Sequence, residues 1–302
     1  MTAFTLALAQ YPIERLASFD AWEAKIARWV AEAAAQGARL LVFPEYAPME
    51  LASLDPASMG DLAGSLRFVA DLRARIDAHH AALTRRHDVH ILAGSLPCPL
   101  DDGRVVNRAR LFTPNGKSGH QDKIVMTRFE RERWHIDGGD RVRVFETTLG
   151  RIGVSICYDV EFPLIARSQV EAGATLILAP SCTDSLQGYW RVRIGAQARA
   201  LEGQCFVGHA PTVGMAPWSP VVDENYGAAG LYGPPDSDAP DHGVLALGAL
   251  GSGQWLYASV DPARVPRWRT DGAVRPHAHW AEQTPGGAPL DLECELVDLR
   301  SP

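Results

Sequence analysis

The chain has 302 residues, of which 46% are hydrophobic and 22% are charged, a composition typical of a globular protein with a large buried core. Its formal net charge of -7 argues against a nucleic-acid or anionic-membrane surface, because both need a basic patch. No apolar stretch reaches the roughly 18 residues of a membrane span and the chain start has no leader pattern, so a cytoplasmic location is expected.

The cysteines form an odd, widely spaced set without a Cys-x-x-Cys motif, so neither a disulfide framework nor a zinc knuckle is predicted. They are Cys98, Cys157, Cys182, Cys205 and Cys294. Reduced thiols are typical of a cytosolic enzyme.

The first part of the chain alternates between strand and helix patterns. An apolar strand is predicted at 4–9, an amphipathic helix at 19–36 and a strand at 40–43, which together make a βαβ unit. Apolar residues then recur at helical spacing over 61–86, and 89–94 returns to strand.

The middle of the chain predicts hairpin-linked strands around 105–112 and again after Lys123, separated by Gly-rich and Asn-rich turns. A second alternating series follows, with strands at 144–147 and 151–156, a helix at 163–172, a strand at 175–179, a helix at 189–202 and a strand at 205–210. Two similar halves indicate two packed sheets with helices outside.

The last part is rich in Gly, Pro and Asp over 211–243, which indicates loops around a short strand near 227–231. The last clear strand pattern covers 254–260. We therefore expect one domain over 1–262 and an extended tail, 263–302, that packs on the domain or on a partner subunit.

Three reactive side chains follow segments that read as strands. Glu45 follows Leu-Leu-Val-Phe-Pro, Lys123 ends Gly-His-Gln-Asp-Lys, and Cys157 lies in Gly-Val-Ser-Ile-Cys-Tyr-Asp. A sheet would deliver a carboxylate, an ammonium and a thiol to one edge, which is the equipment of a covalent amide hydrolase. Burial among apolar strand ends would raise the proton affinity of the carboxylate, as a general base near neutral pH requires.

Each of these residues also has an ordinary structural interpretation. A cysteine at the end of a buried strand is usually an inert core residue. A glutamate after Phe-Pro is commonly a cap or a surface acid, and a lysine after Gln-Asp is commonly a solvated turn residue. Their spacing alone does not bring the three together.

The local motifs resemble the signatures of the nitrilase, or carbon-nitrogen hydrolase, superfamily. Phe-Pro-Glu at 43–45 is similar to its first signature, His-Gln-Asp-Lys at 120–123 to its second, and Gly-Val-Ser-Ile-Cys-Tyr-Asp at 153–159 to its third. Supporting blocks occur in the same order, and the similarity covers roughly 4–261.

The resemblance implies a four-layer α-β-β-α sandwich and a thiol hydrolase that needs neither a metal nor another cofactor. It makes Glu45 the general base, Cys157 the nucleophile and Lys123 the oxyanion stabiliser, with the backbone N–H of Tyr158 as a second donor. Glu130 matches the second glutamate of the family. It also implies a homodimer formed through helices at 163–172 and 189–203 together with the tail.

Glu130 has two competing interpretations. Glu132 is the other glutamate that follows the lysine at a similar distance, and the whole stretch could be a surface charge cluster. The seven-residue offset from Lys123 and the following arginine favour Glu130.

The sequence after the nucleophile resembles the amide-cleaving branch, because it reads Cys-Tyr-Asp at 157–159 where nitrile-cleaving members typically show Cys-Trp-Glu. Glu161 stands where many amidases place arginine. Facing the pocket, it would disfavour substrates that carry a carboxylate. The residues expected to line the pocket are Tyr46, Trp134, Glu161, Cys182 and Trp190. Arginines 128, 131 and 133 would favour an anion instead.

The expected function is hydrolysis of a small amide through a cysteine acyl-enzyme, releasing ammonia or an amine. The alternatives are a nitrilase, an N-carbamoyl amidohydrolase and a non-catalytic scaffold of the same fold. A metalloenzyme using His79 and His80, or His277 and His279, is disfavoured, because adjacent helical side chains point apart and the second pair lacks a nearby acidic or thiol partner.

Overall fold

Fourteen strands and seven α-helices make up the part of the chain that the computed structural model describes, residues 2–236, 238–283 and 294–300. The strands are β1 (Phe4–Pro12), β2 (Ala38–Phe43), β3 (His90–Pro99), β4 (Val105–Phe112), β5 (Ser118–Asp122), β6 (Val142–Thr147), β7 (Gly150–Val154), β8 (Leu176–Ser181), β9 (Phe206–Met215), β10 (Glu224–Asn225), β11 (Gly230–Tyr232), β12 (Val244–Leu247), β13 (Gln254–Val260) and β14 (Cys294–Asp298). The helices are α1 (Phe19–Ala35), α2 (Leu62–Asp71), α3 (Arg73–His87), α4 (Arg128–Glu132), α5 (Pro163–Glu171), α6 (Leu186–Gly203) and α7 (Arg264–Asp271).

The strands form two sheets that share one short junction. In the first, the order is β13-β1-β2-β3-β4-β5, with parallel pairing from β1 to β3 and antiparallel pairing elsewhere. In the second, the order is β14-β6-β7-β8-β9-β11-β12, with β7, β8 and β9 parallel. The sheets meet where Tyr11 and Pro12 of β1 pair with Thr212 and Val213 of β9.

Side-chain alternation along β1 separates the layers. Leu6 and Leu8 point into the apolar core that also contains Leu178 of the second sheet, whereas Tyr11 packs with Trp22 of α1 in a second core. The sheets approach so closely that a Cβ on Gly208 of β9 would lie 3.1 Å from Leu8. Helices α1 to α3 cover the first sheet, and α5 and α6 cover the second, so the expected four-layer α-β-β-α sandwich is confirmed.

The single helix expected over 61–86 is wrong. The chain forms α2 and α3, which meet at Leu72, and Leu72 N–H bonds the carbonyl of Val69 in a tighter 3-10 pattern. Both helices lie against β3, but α2 also lies against the 47–54 segment, whereas α3 also lies against α1. Tertiary packing therefore divides a continuous helical pattern.

The strand expected after Lys123 is also wrong, because α4 occupies this place before β6 begins. Thr127 caps α4 in a capping box, in which its hydroxyl accepts from the Glu130 N–H and the Glu130 carboxylate accepts from its backbone N–H. The tail 263–302 is not simply extended, since it contains α7 and β14. Strand β14 pairs in parallel with β6, which places this part of the tail on the second sheet.

Parts of the tail, residues 284–293 and 301–302, lie outside the described residues. The division into a domain at 1–262 and a tail stays a prediction. Among the helices described, none combines the length and apolarity needed to cross a membrane.

Candidate active site

Strand ends bring the three reactive side chains to one edge of the sandwich. Glu45 follows β2, Lys123 directly follows β5, and Cys157 begins a 3-10 helix, Cys157–Glu161, shortly after β7. They come from both sheets, so the site is assembled only when the two sheets pack together.

Lys123 holds two carboxylates in a buried cluster. Its Nζ lies 2.8 Å from Glu45 Oε1 and 2.6 Å from Glu130 Oε2, and all three residues are at most 2% exposed. Asn107 of β4 donates from Nδ2 to both carboxylates, at 2.9 Å to Glu45 and 3.2 Å to Glu130. Ion pairs and hydrogen bonds therefore join Glu45, Lys123, Glu130 and Asn107 in one network.

Glu130 is the more fully bonded of the two carboxylates. Besides Lys123 and Asn107, it accepts from the Tyr46 hydroxyl at 3.0 Å and from the Thr127 N–H and hydroxyl at 3.0 and 2.9 Å. Glu132 lies at the surface, where it pairs with the exposed Arg128. Of the two glutamates considered from the sequence, the structure brings only Glu130 to the cluster.

The environment separates the two carboxylates in proton affinity. Burial, reinforced by the charge of Glu130, raises the pKa of Glu45 despite the nearby ammonium. Burial acts the same way on Glu130, but Lys123 and the Thr127 donors outweigh it and lower its pKa. Burial opposes the charge of Lys123, yet the two carboxylates hold its pKa well above the usual value. Glu45 is thus suited to exchange a proton, and Glu130 is suited to stay ionised.

Cys157 sits in a strained turn beside Glu45. Its φ of 47° is in the left-handed region, which is uncommon for a residue other than glycine and often marks a functional site. Burial and the Glu45 carboxylate raise the pKa of the Cys157 thiol well above its usual value, although Lys123 opposes them. The thiol therefore rests protonated, with an acceptor next to it.

Asp159 joins the turn that contains Cys157 to the turn that follows Lys123. Its carboxylate accepts the backbone N–H groups of Ile124 at 3.1 Å and Val125 at 2.8 Å, the two residues after Lys123. Burial raises the pKa of Asp159 to about 7. Since Asp159 lies two residues beyond Cys157, this contact fixes the distance between the two turns.

A cavity of about 900 Å³ opens above this cluster. It is lined by Glu45, Lys123, Glu130 and Cys157, and by four of the five residues expected to line the pocket, Tyr46, Trp134, Glu161 and Cys182. The Tyr46 and Trp134 rings pack edge to face with centroids 5.4 Å apart. The Cys182 backbone N–H donates to Glu45 Oε2 at 2.9 Å, so this residue also orients the carboxylate.

The structure does not bring Trp190 to the cavity. Trp190 is 48% exposed on α6, where Arg193 lies over its ring. Gln187, Gly188 and Arg191 line the cavity in its place, because they lie on the face of α6 that turns toward the site.

Glu161 lines the cavity but is not a free charge. Arg191 pairs with it at 2.6 Å, so the expected repulsion of carboxylate-bearing substrates is largely cancelled. Arg128 and Arg133 also line the cavity, whereas Arg131 does not.

Sequence reasoning did not give a role to Asn107, Thr127 or Asp159. The Thr-x-x-Glu pattern of 127–130 is a readable capping signal. A polar residue inside the apolar strand pattern of 105–112 is a further signal, because buried amides need partners. Within the described residues, no three histidine, cysteine, aspartate or glutamate side chains are grouped to hold a metal ion.

Comparison with known proteins identifies the family. A family model described as carbon-nitrogen hydrolase matches residues 5–270. The chain is 32% identical over 270 residues to "Probable hydrolase YhcX" of Bacillus subtilis, covering 89% of this chain and 52% of that protein. It is 26% identical over 205 residues to "Nitrilase 3" of Arabidopsis thaliana, covering 61% of this chain and 54% of that protein. The chain thus spans about half the length of these curated relatives.

Solved structures share the fold. An amidase from Nesterenkonia sp. superposes with a TM-score of 0.67 at 21% identity, over 92% of this chain and 97% of that chain.

Proposed function

The chain belongs to the carbon-nitrogen hydrolase family, and on this premise we propose that it hydrolyses the carbon-nitrogen bond of a small amide through a Cys157 acyl-enzyme. The observation that carries the proposal is the buried Glu45 and Lys123 pair, 2.8 Å apart, beside the Cys157 thiol at the floor of a cavity. A base, a cation and a nucleophile in this arrangement are sufficient for acyl transfer.

In the first half-reaction, Glu45 takes the thiol proton while Sγ of Cys157 attacks the amide carbon. The carbonyl oxygen becomes an oxyanion next to Lys123 Nζ and the backbone N–H of Tyr158. Glu45 then gives its proton to the amide nitrogen, the carbon-nitrogen bond breaks, and ammonia or an amine leaves. A thioester to Cys157 remains. In the second half-reaction, Glu45 takes a proton from water, the resulting hydroxide attacks the thioester, and the thiolate recovers the proton as the acid leaves.

Lys123 is suited to stabilise the oxyanion. An ammonium has three N–H donors, and the hydrogen bonds within the described residues use two of them, one to Glu45 and one to Glu130. The third is left for the substrate. Glu130, fixed by its many donors, holds the ammonium in place and does not need to change its protonation state.

The amidase assignment is supported by the Cys-Tyr-Asp sequence at 157–159, which resembles the amide-cleaving branch. Nitriles and N-carbamoyl compounds are the alternative substrates. Because Arg191 neutralises Glu161, the cavity gives no strong reason to exclude a substrate with a carboxylate.

We propose that the protein forms a homodimer and that it is located in the cytoplasm. Supporting it, large apolar side chains on α5 and α6 are exposed, namely Leu164, Trp190, Ile194 and Leu201. Ile194→Glu should lower the mass measured by light scattering to that of one chain, and an unchanged mass would contradict this surface.

The test of the function is ammonia release from matched amides, nitriles and N-carbamoyl compounds that carry neutral, anionic or cationic groups. Cys157→Ala should abolish release, and Cys294→Ala, which removes a half-buried thiol in β14 outside the cavity, should not. Amide turnover that depends on Cys157 supports the proposal. Turnover of nitriles alone would favour a nitrilase, and no turnover of any compound would favour a non-catalytic scaffold.

A further inference from the structure

Asn107 contacts every charged member of the buried cluster. Its Nδ2 donates to Glu45 and to Glu130, and its backbone carbonyl accepts the Lys123 N–H at 2.9 Å. The residue is fully buried on β4, so water does not compete for these bonds.

The orientation of the Asn107 amide is set by the two carboxylates. An amide nitrogen has two hydrogens, and here one goes to each carboxylate. Its Oδ1 has no hydrogen-bond partner among the described residues. The reverse orientation would place Oδ1 against both carboxylates, so the favourable contacts on one side outweigh an unpaired oxygen on the other.

Two carboxylates share one ammonium here, which leaves the cluster one negative charge in excess. Hydrogen bonds to a charged form favour that form, and they are stronger in a buried site. A neutral donor that bonds both carboxylates therefore offsets their mutual repulsion without adding a charge that would compete for Lys123.

We propose that Asn107 is a positioning residue that keeps Glu45 and Glu130 ionised together around Lys123, so that Glu45 is ready to take the proton of Cys157. The proposal rests on the proposed role of Glu45 as the base. The titratable groups that face Glu45 are Lys123, Glu130, Tyr46, Cys157 and Cys182, and Asp159 lies near Lys123 and Glu130.

The test follows the thiol and not the substrate. The rate at which iodoacetamide alkylates Cys157 is measured against pH, by mass spectrometry of the peptide that contains it. Asn107→Leu removes the donor at similar size, and Asn107→Ser retains one hydroxyl donor. Gln10→Leu is the matched control, because Gln10 is a buried amide on β1 whose bonds all go to backbone groups.

Loss of the donor should move the acid limb of the alkylation profile to higher pH. A hydrogen bond to a charged group corresponds to about one to two pH units, or about a tenfold to hundredfold lower rate on the acid limb. Asn107→Ser should shift it less than Asn107→Leu, and Gln10→Leu should leave it in place. Should Asn107→Leu fail to fold, as judged by circular dichroism, the Asn107→Ser shift alone decides.

An acid limb that stays in place in the Asn107 variants, with the rate lowered equally at all pH values, would mean that Asn107 only fills space and would overturn the proposal. Because this assay needs no turnover, a protein that hydrolyses none of the amides would refute the proposed function while leaving the Asn107 result readable.

Discussion

Replacing Lys123 by methionine should cost both stability and turnover. The ammonium is 1% exposed and binds two carboxylates at 2.8 and 2.6 Å, so its removal leaves two buried negative charges without a counterion. Breaking a buried pair in this way costs about 3–5 kcal/mol of folding free energy. Loss of an oxyanion donor separately lowers turnover by about 10² to 10³.

The stability loss should depend on pH. Without Lys123, the already raised folded-state pKa of Glu45 rises further, and the lowered pKa of Glu130 rises above the unfolded value of about 4.3. When the folded-state pKa of a carboxyl group is raised, the protein loses stability as pH rises above the unfolded pKa of that group. The stability lost in Lys123→Met should therefore grow toward neutral pH and shrink toward about pH 4. Urea unfolding followed by tryptophan fluorescence at several pH values measures it.

Lys25→Met is the matched control for this prediction. Lys25 is also buried and binds a buried carboxylate, that of Glu50, at 2.7 Å, but it lies outside the cavity. Both variants should lose stability, and only Lys123→Met should lose turnover per folded molecule. Near-normal turnover by folded Lys123→Met would refute the assigned role, and equal turnover loss in both variants would refute its specificity.

Three further outcomes follow from the site. Glu45→Gln should lower turnover by about 10² to 10⁴ because it removes the proposed base, and unimpaired turnover would contradict this. Its resistance to urea at neutral pH should be unchanged or higher, because burial raises the pKa of Glu45 and so disfavours the ionised carboxylate. Glu161→Gln should change the free energy of unfolding by less than about 1 kcal/mol, since the Glu161 and Arg191 ion pair is near the surface. It should raise the ratio of kcat/KM for anionic amides to kcat/KM for neutral amides. The same ratio in the variant and the original protein would show that Glu161 does not select substrates. Burial raises the pKa of Asp159 to about 7, so ionisation of Asp159 destabilises the fold as pH rises from about 4 to 7. Asp159→Asn should therefore flatten the dependence of the unfolding free energy on pH in that range. An unchanged pH dependence would contradict the raised pKa of Asp159.

Local sequence was enough to place the reactive side chains at strand ends. Glu45 and Cys157 follow apolar runs, Lys123 follows the polar segment Gly-His-Gln-Asp, and strand ends at a common edge are a general property of such sheets. The resemblance in motifs then supplied the architecture of the sandwich. The three side chains meet only because the two sheets pack together, and no local sequence pattern shows that packing.

The contacts that tune the site were not predictable, because they join distant parts of the chain. Asn107 bonds Glu45 across 62 positions and Glu130 across 23, and Glu161 meets Arg191 across 30. An asparagine in a strand signals that some partner is needed, but not which one. The charge of Glu161 therefore suggested a selectivity that its partner largely cancels.

Trp190 was expected in the pocket because it follows a signature element, but the rotational phase of α6 places it outside. Residues 187, 188, 191 and 192 line the cavity from one face of α6, and Trp190 lies on another face. The phase of α6 is set by its packing on the second sheet, so an aromatic residue near a signature gives no information on which way it points.

The most direct test of a Cys157 acyl-enzyme is partition with hydroxylamine during turnover of the best amide substrate. A thioester should transfer its acyl group to hydroxylamine, so hydroxamate should replace part of the acid while ammonia is still released, and Cys157→Ala should form neither product. Ammonia release that persists in Cys157→Ala, or turnover that yields no hydroxamate at any hydroxylamine concentration, would contradict the account.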